Sequence, residues 1–163
     1  MESLQALILH RFAYKDTSVI VKFFTKEQGL VSCVAKGAKR NKSPLRALVH
    51  PFKLLSLSFS GKNELKSLRS LESAGPEFRL TQNALLSGFY LNELLVNFLL
   101  PSDAHPDLFD DYCAALHLLA KGHLLSALRQ FEWQLLLRLG YAPDITVAEG
   151  MAIDPMAFYQ LIP

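Results

Sequence analysis

The order of apolar and polar positions divides this chain into two parts with different periods. Through about residue 75, apolar side chains tend to recur at every second position. Between Thr17 and Phe24, Val19, Val21 and Phe23 share one face while Ser18 and Lys22 share the other, the pattern of a half-buried strand. Leu30–Lys36 alternates in the same way, and Thr25-Lys-Glu-Gln-Gly29 before it has the composition of a hairpin turn. Leu4–Arg11 and Phe52–Ser60 are further runs of this kind, the second with Leu55, Leu57 and Phe59 on one side. Ser60-Gly-Lys-Asn63 marks a turn into Glu64–Glu72, which reads two ways: its place suits a strand, but Leu65, Leu68 and Leu71 stand three apart and suit a helix. Five short strands with glycine-bearing turns predict a small closed barrel over 1–76, and the OB-fold is the commonest nucleic-acid-binding barrel of that size.

From Pro76 the period lengthens. Phe78–Leu100 carries apolar residues at 85, 89, 91, 94, 95, 98 and 99, which predicts an amphipathic helix ended by Pro101. A second helix is expected from Pro106 to Lys121, burying Leu108, Phe109, Tyr112, Leu116 and Leu119. Its N1 proline and its early Asp107, Asp110 and Asp111 suit the positive end of a helix dipole. A third is expected from His123 to Leu139, with Leu124, Leu128, Phe131, Leu135 and Leu139 inside, Gly140 at C′ and Pro143 just beyond. The expected fold class is therefore α+β and multi-module: a five-stranded OB-fold barrel over 1–76, then an all-α helical domain over 77–163. The last twenty residues, 144–163, are less regular, and a chain that stops at Leu-Ile-Pro in mid-pattern reads as a truncated one.

Charge sharpens this division. Residues 1–75 hold thirteen Lys and Arg against five acids, a net of +8, whereas 76–163 hold four against ten, a net of −6. Halves of opposite sign point to different partners, and the basic one wants a polyanion. The apolar stretch Ala84–Leu100 is broken by Ser87, Asn92, Glu93 and Asn97, so no membrane span is read from it. The N-terminus has no secretory pattern. Cys33 and Cys113 stand alone among apolar neighbours and read as core thiols in a reducing compartment, with neither a disulfide framework nor a metal site.

The cations concentrate in Ala35-Lys-Gly-Ala-Lys-Arg-Asn-Lys-Ser-Pro-Leu-Arg46. Lys36, Lys39, Arg40, Lys42 and Arg46 stand there with no acid between them, and Gly37, Asn41, Ser43 and Pro44 make the segment a loop. A mobile basic loop beside a barrel mouth supplies phosphate contacts without reading bases, and each neutralised phosphate releases condensed counterions. Arg11 and Tyr14 are added as candidate DNA contacts. Single-strand binding also wants aromatic rings on that face; Phe12, Tyr14, Phe24 and Phe52 are the candidates, and Tyr14, in an expected turn, is the ring read as exposed. Catalysis is not encoded in any recognisable form. Asp103, Asp107, Asp110 and Asp111 are better explained by loop polarity and helix capping than as a nuclease site, and His10, His50, His105, His117 and His123 show no ligand spacing. No cofactor is expected.

Several colinear segments resemble the RecO family of bacterial recombination mediators. They are Ala6–Ser18, Phe24-Thr-Lys-Glu-Gln-Gly29, Val34-Ala-Lys-Gly-Ala-Lys-Arg40, His50-Pro-Phe52, Gly88-Phe-Tyr-Leu-Asn-Glu-Leu-Leu95, His105-Pro-Asp-Leu-Phe109 and Leu128-Arg-Gln-Phe-Glu-Trp133 through Leu139-Gly-Tyr-Ala-Pro-Asp144. The resemblance implies an N-terminal OB-fold, a helical domain, and a cytoplasmic, nucleoid-associated protein of the RecF pathway. Such a protein binds single- and double-stranded DNA, anneals strands, and helps load the RecA recombinase onto strands coated by single-strand-binding protein. Its implied partners are RecR and the acidic C-terminal tail of the coating protein. By position, Lys36, Lys39, Arg40, Lys42 and Arg46 fall in the family's DNA-contacting loop, and Arg129 falls where an arginine is associated with tail binding. Many members carry a four-cysteine zinc motif after the Gly-Tyr-Ala-Pro stretch; no cysteine occurs over 144–163, which implies a zinc-free member. The family also usually continues further. The competing readings are an RNA- or ribosome-associated OB-fold factor and a protein-docking adaptor.

Overall fold

The computed structural model describes residues 3–142 together with 147, 148, 151, 152, 154 and 156. Strands β1 (Leu4–Tyr14), β2 (Ser18–Thr25), β3 (Gly29–Ala35), β4 (Lys53–Ser60) and β5 (Leu65–Glu77) close into a barrel in the order β1-β2-β3-β5-β4. All neighbours are antiparallel except β3 and β5. This is the OB-fold arrangement of a five-stranded Greek-key barrel. A one-turn helix, α1 (Leu45–Leu48), sits in the connection from β3 to β4.

Alternation puts Val19, Val21 and Phe23 of β2, Val31, Cys33 and Ala35 of β3, and Leu55 and Leu57 of β4 into the barrel interior. Burial there pushes the Cys33 thiol up to about 12. The ambiguous segment is a strand. Leu71 pairs with Leu57, Ser70 with Ser58 and Leu68 with Phe59, so one extra residue bulges out at that point. A bulge makes a strand cover three positions where two would serve, which is why inward-facing leucines stand three apart. A second bulge lies in β1 between Ile8 and His10. Ile8 faces the interior, while Leu9 packs against the helices and His10 is exposed. β1 also runs on through Tyr14, where a turn was expected from Phe12.

Helices α2 (Gln82–Phe98), α3 (Pro106–Ala120) and α4 (Leu124–Arg138) follow. The expected start at Phe78 is wrong by four residues. The Phe78 amide donates to the Phe52 carbonyl at 2.8 Å, continuing the β4–β5 pairing, so the chain stays extended until Thr81 caps α2. The buried face of α2 is also rotated from the expected one, for it comprises Ala84, Gly88, Leu91, Asn92 and Leu95. Phe89 and Phe98, expected inside, are 47% and 48% exposed. The cause is close approach: a Cβ on Gly88 would lie 2.6 Å from Leu80 Cδ1 and 2.9 Å from Phe52 Cε1. α3 buries the five residues its spacing predicts. α4 buries Ala127, Phe131 and Leu135, with Leu124, Leu128 and Leu139 packed at the edge. It ends as expected: Gly140 has φ +77, the Tyr141 amide donates to Leu136 at 2.8 Å and the Gly140 amide to Leu137 at 3.2 Å. The expected irregular tail over 144–163 falls largely outside the described residues, apart from a two-residue pairing of 147–148 with 151–152.

Barrel and helices share one core. Leu7, Leu9, Phe24, Leu30 and Phe52 point out of the barrel and join Leu91, Leu95, Leu108, Phe109, Tyr112, Phe131 and others from the helices. The Phe24 ring lies 5.3 Å from Phe109, edge-on, and 6.3 Å from Tyr112. Asn92 is the polar centre of this seam: its Nδ2 donates to the Leu9 carbonyl at 3.0 Å, and its Oδ1 accepts from the Tyr112 hydroxyl. Leu9 is the residue at which β1 bulges, so the side-chain amide serves a carbonyl beside an interrupted ladder. At the rim, the turn from β2 to β3 abuts the loop before α3. The Ser102 amide donates to Leu30 at 3.1 Å, and Gly29, with φ +65, leaves room for Asp103, whose carbonyl oxygen a Cβ would meet at 1.8 Å.

Candidate nucleic-acid interface

The β3–β4 connection is built from consecutive turns and does not hang free, contrary to the mobile loop expected. The amides of Arg40, Ser43 and Arg46 each donate three residues back, to Gly37, Arg40 and Ser43, at 3.0–3.1 Å. The Lys39 amide donates to Thr17 in the β1–β2 turn at 3.0 Å, and its Nζ donates to the Lys15 carbonyl at 2.9 Å. The five cationic side chains, Lys36, Lys39, Arg40, Lys42 and Arg46, are all exposed.

Three of the expected DNA contacts converge. Arg11, Lys39 and Arg46 line a shallow pocket of about 230 Å³ at the barrel mouth, floored by Val19, Ala38 and Val49. Arg11 is fixed there by donating from Nη1 to the Val49 carbonyl at 2.8 Å, and Arg46 donates to the Asn41 side chain at 2.9 Å. These partners are neutral, so each guanidinium keeps its charge uncompensated. Tyr14 lies nearby on β1 and is half-buried, with the Lys15 ammonium 5.4 Å from its ring centre. The exposed ring is Phe12, at 41%. Phe24 and Phe52 are core residues and drop out as stacking candidates.

The helical cations are arranged differently. Arg138 forks between Asp107 and Asp111 at 3.1 Å each, and Lys26 of the barrel reaches Asp110 at 2.7 Å. Asp107, Asp110 and Asp111 are thus tied to cations, and Asp103 lies 3.2 Å from His105. Among the described residues no group of three or more His, Cys, Asp or Glu is placed to hold a metal. Cys113 is half-buried and its thiol is pushed up to about 11, chiefly by burial. No described helix is long and apolar enough to cross a membrane.

Arg129 stands apart from the basic loop, on α4, with its side chain 81% exposed and 3.1 Å from Glu132. Glu132 also accepts from the Tyr90 hydroxyl at 2.8 Å, which pushes the Tyr90 phenol up. Tyr90 and Glu132 border an apolar pocket of about 270 Å³ with Leu94, Phe98, Leu135 and Tyr141. Sequence spacing could not reveal this pocket, because it assigned Phe98 to the buried stripe. Lys22 and Phe89 were also missed as surface candidates. Alternation did put Lys22 outside, but only the rotation of α2 exposes Phe89 beside it.

The fold and this surface define a class: an OB-fold barrel with a cationic mouth, docked on a helical bundle. Residues 1–76 match the family described as Recombination protein O N terminal, and residues 79–156 match Recombination protein O C terminal. Curated relatives called DNA repair protein RecO agree with this. One from Ralstonia nicotianae is 44% identical over 94% of this chain and 57% of its own length. That from Pasteurella multocida is 45% identical over 90% of this chain and 62% of its own length. That from Laribacter hongkongensis is 40% identical over 98% and 67% respectively. The chain belongs to the RecO family. It spans roughly three fifths to two thirds of the length of these relatives.

Proposed function

We propose that this chain acts without catalysis in recombinational DNA repair, binding DNA strands on the cationic mouth of the barrel. The observation that carries this reading is the contrast in charge pairing. Among the described residues no ion pair involves Lys36, Lys39, Arg40, Lys42, Arg46 or Arg11, whereas Arg129, Arg138 and Lys26 are all paired with acids. Unpaired, exposed cations clustered on one rim neutralise phosphates. Two strands held on such a surface repel one another less, which speeds annealing.

In this reading the barrel of residues 1–76 is the DNA module and the helical part from 77 onward docks protein. Arg129, beside the apolar pocket under Tyr90, suits the carboxylates and apolar side chains of the acidic tail of single-strand-binding protein. With RecR as further partner, such docking brings the recombinase to coated strands. The protein works in the cytoplasm, at the nucleoid.

A titration of labelled single-stranded DNA at several salt concentrations tests it. Log affinity is expected to fall linearly with log salt, by about 0.7 log units per phosphate contact on a single strand. Reversing Lys39→Glu and Arg40→Glu should reduce affinity and flatten that slope; unchanged affinity sinks the loop assignment. Arg129→Ala should weaken an acidic tail peptide and spare DNA. A joint loss of both would mean that the two surfaces are one.

A further inference from the structure

Alongside the barrel mouth there is a second feature, a cleft of about 570 Å³ between the barrel wall and α2. We propose that it is a pocket for an unpaired nucleobase of single-stranded DNA, a reading that rests on the DNA-binding role argued above.

The cleft exists because of the bulge at Leu9. Without the extra residue, alternation would return His10 to the interior; with it, His10 pairs with Lys22 and both side chains stand on the outer face. Phe12 follows two residues on, 41% exposed, its ring centre 5.7 Å from that of His10. The opposite wall is Phe89 of α2, 47% exposed and held from behind by an edge contact with buried Phe52 at 5.2 Å. Two partly exposed phenyl rings thus line one cleft, while Phe23, Phe24 and Phe52 are buried. Exposed aromatic faces with a cation beside them, here Lys22, are what a sequence-tolerant stacking platform requires.

The polar groups divide the labour. Lys22 lines the same cleft and supplies the cation for a neighbouring phosphate. Glu93, on the α2 side, is an acceptor that repels phosphate and receives the exocyclic amine of adenine, cytosine or guanine. The cleft therefore takes a base and leaves the backbone outside. Strand β1 leads from it toward the basic loop. Tyr14 is the next outward residue of β1 after Phe12, Lys15 covers its ring, and the Lys15 carbonyl is where Lys39 anchors the loop. From His10 to Tyr14 is about 13 Å along an extended strand, so one DNA strand can hold phosphates at the mouth and bury a base in the cleft. A duplex, with its bases stacked inside, can use only the mouth.

Binding of the full chain to three labelled ligands separates the two features: an adenine-rich single strand, an abasic strand of equal length, and a duplex. Phe12→Ala should weaken the adenine-rich strand about tenfold, leaving the abasic strand, the duplex and the salt slope unchanged. Phe89→Leu should act in the same direction, with its thermal midpoint as the check on folding; Phe12 is exposed and carries the test if that variant is unstable. Lys39→Glu with Arg40→Glu should lower affinity for all three ligands. Equal affinity of wild type and Phe12→Ala for the adenine-rich strand, or an equal loss on the abasic strand, overturns the cleft and leaves the loop standing. No binding of any ligand by wild type at low salt overturns both.

Discussion

The barrel interior and the seam between barrel and helices are cores of different kinds. The interior is closed by strand alternation and is lined chiefly by aliphatic side chains, from Ala6 and Ile8 across to Leu55 and Leu57. The seam is larger and more aromatic, and it contains a polar node, Asn92 with Tyr112 and the Leu9 carbonyl. The interior is determined by local patterning, whereas the seam depends on residues far apart in the chain. The seam therefore fixes where α2 lies against the outer barrel wall, and so shapes the cleft between Phe12 and Phe89. It also packs the oppositely charged halves against one another, which predicts that they unfold together.

The largest effect is expected from Phe24→Ala. Phe24 is fully buried, sits on a barrel strand and packs on Phe109 and Tyr112 of α3. The expected loss is about 3–5 kcal/mol of stability. Two internal reporters distinguish the outcomes: Trp133 on α4 by fluorescence, and Cys33 in the barrel interior by thiol labelling in a Cys113→Ala background. If the seam joins the halves, the two signals shift together in denaturant. Loss of the Trp133 signal while Cys33 stays protected would show two separable domains.

A smaller effect is expected at the polar node. Asn92→Leu leaves the Leu9 carbonyl and the Tyr112 hydroxyl without their partner, at about 1–3 kcal/mol for each orphaned group. Adding Tyr112→Phe removes one orphan, so the double variant should recover part of the loss. If the second change instead adds its full independent cost, the hydroxyl is not coupled to Asn92 and the node is incidental.

These two sites also show what could be seen in the sequence and what could not. The interior was legible because Val19, Val21 and Phe23 obey a two-residue period, as the α3 stripe from Leu108 to Leu119 obeys a helical one. The basic loop was legible because five cations without an acid are conspicuous in any context. Asn92 was read only as an interruption in an apolar run, since its partners Leu9 and Tyr112 are remote in sequence. The bulges at Leu9 and Arg69 blurred β1 and β5 because a period of two fails wherever one strand carries an extra residue. Phe89 was misassigned because hydrophobic periodicity cannot foresee that a glycine, Gly88, will be the closest point of helix contact. The pairing of Arg11, Lys39 and Arg46 around one pocket likewise depends on barrel closure.

The smallest effect should come at the rim of the seam, where Lys26 meets Asp110. Both side chains are substantially exposed, so the pair is screened and Lys26→Gln should leave the denaturation midpoint at neutral pH where it was. The pH dependence makes this a sharper test. The hydrogen bond that Lys26 donates to Asp110 raises the Lys26 amine, so whatever the pair contributes is fully present below 10.5 and fades only as pH rises through the raised value. The buried thiols lose stability in an overlapping range. Cys33, raised from 9.0 to about 12, favours the folded state fully below 9, and that contribution declines as pH climbs toward 12. Alkaline unfolding of the wild type should therefore begin near pH 9, before the amine titrates. Cys33→Ala should lessen the steepness of that decline, and Lys26→Gln should not. If Lys26→Gln alone flattens the curve, the rim pair and not the sealed interior governs the alkaline limit, and the ranking of the two regions must be reversed.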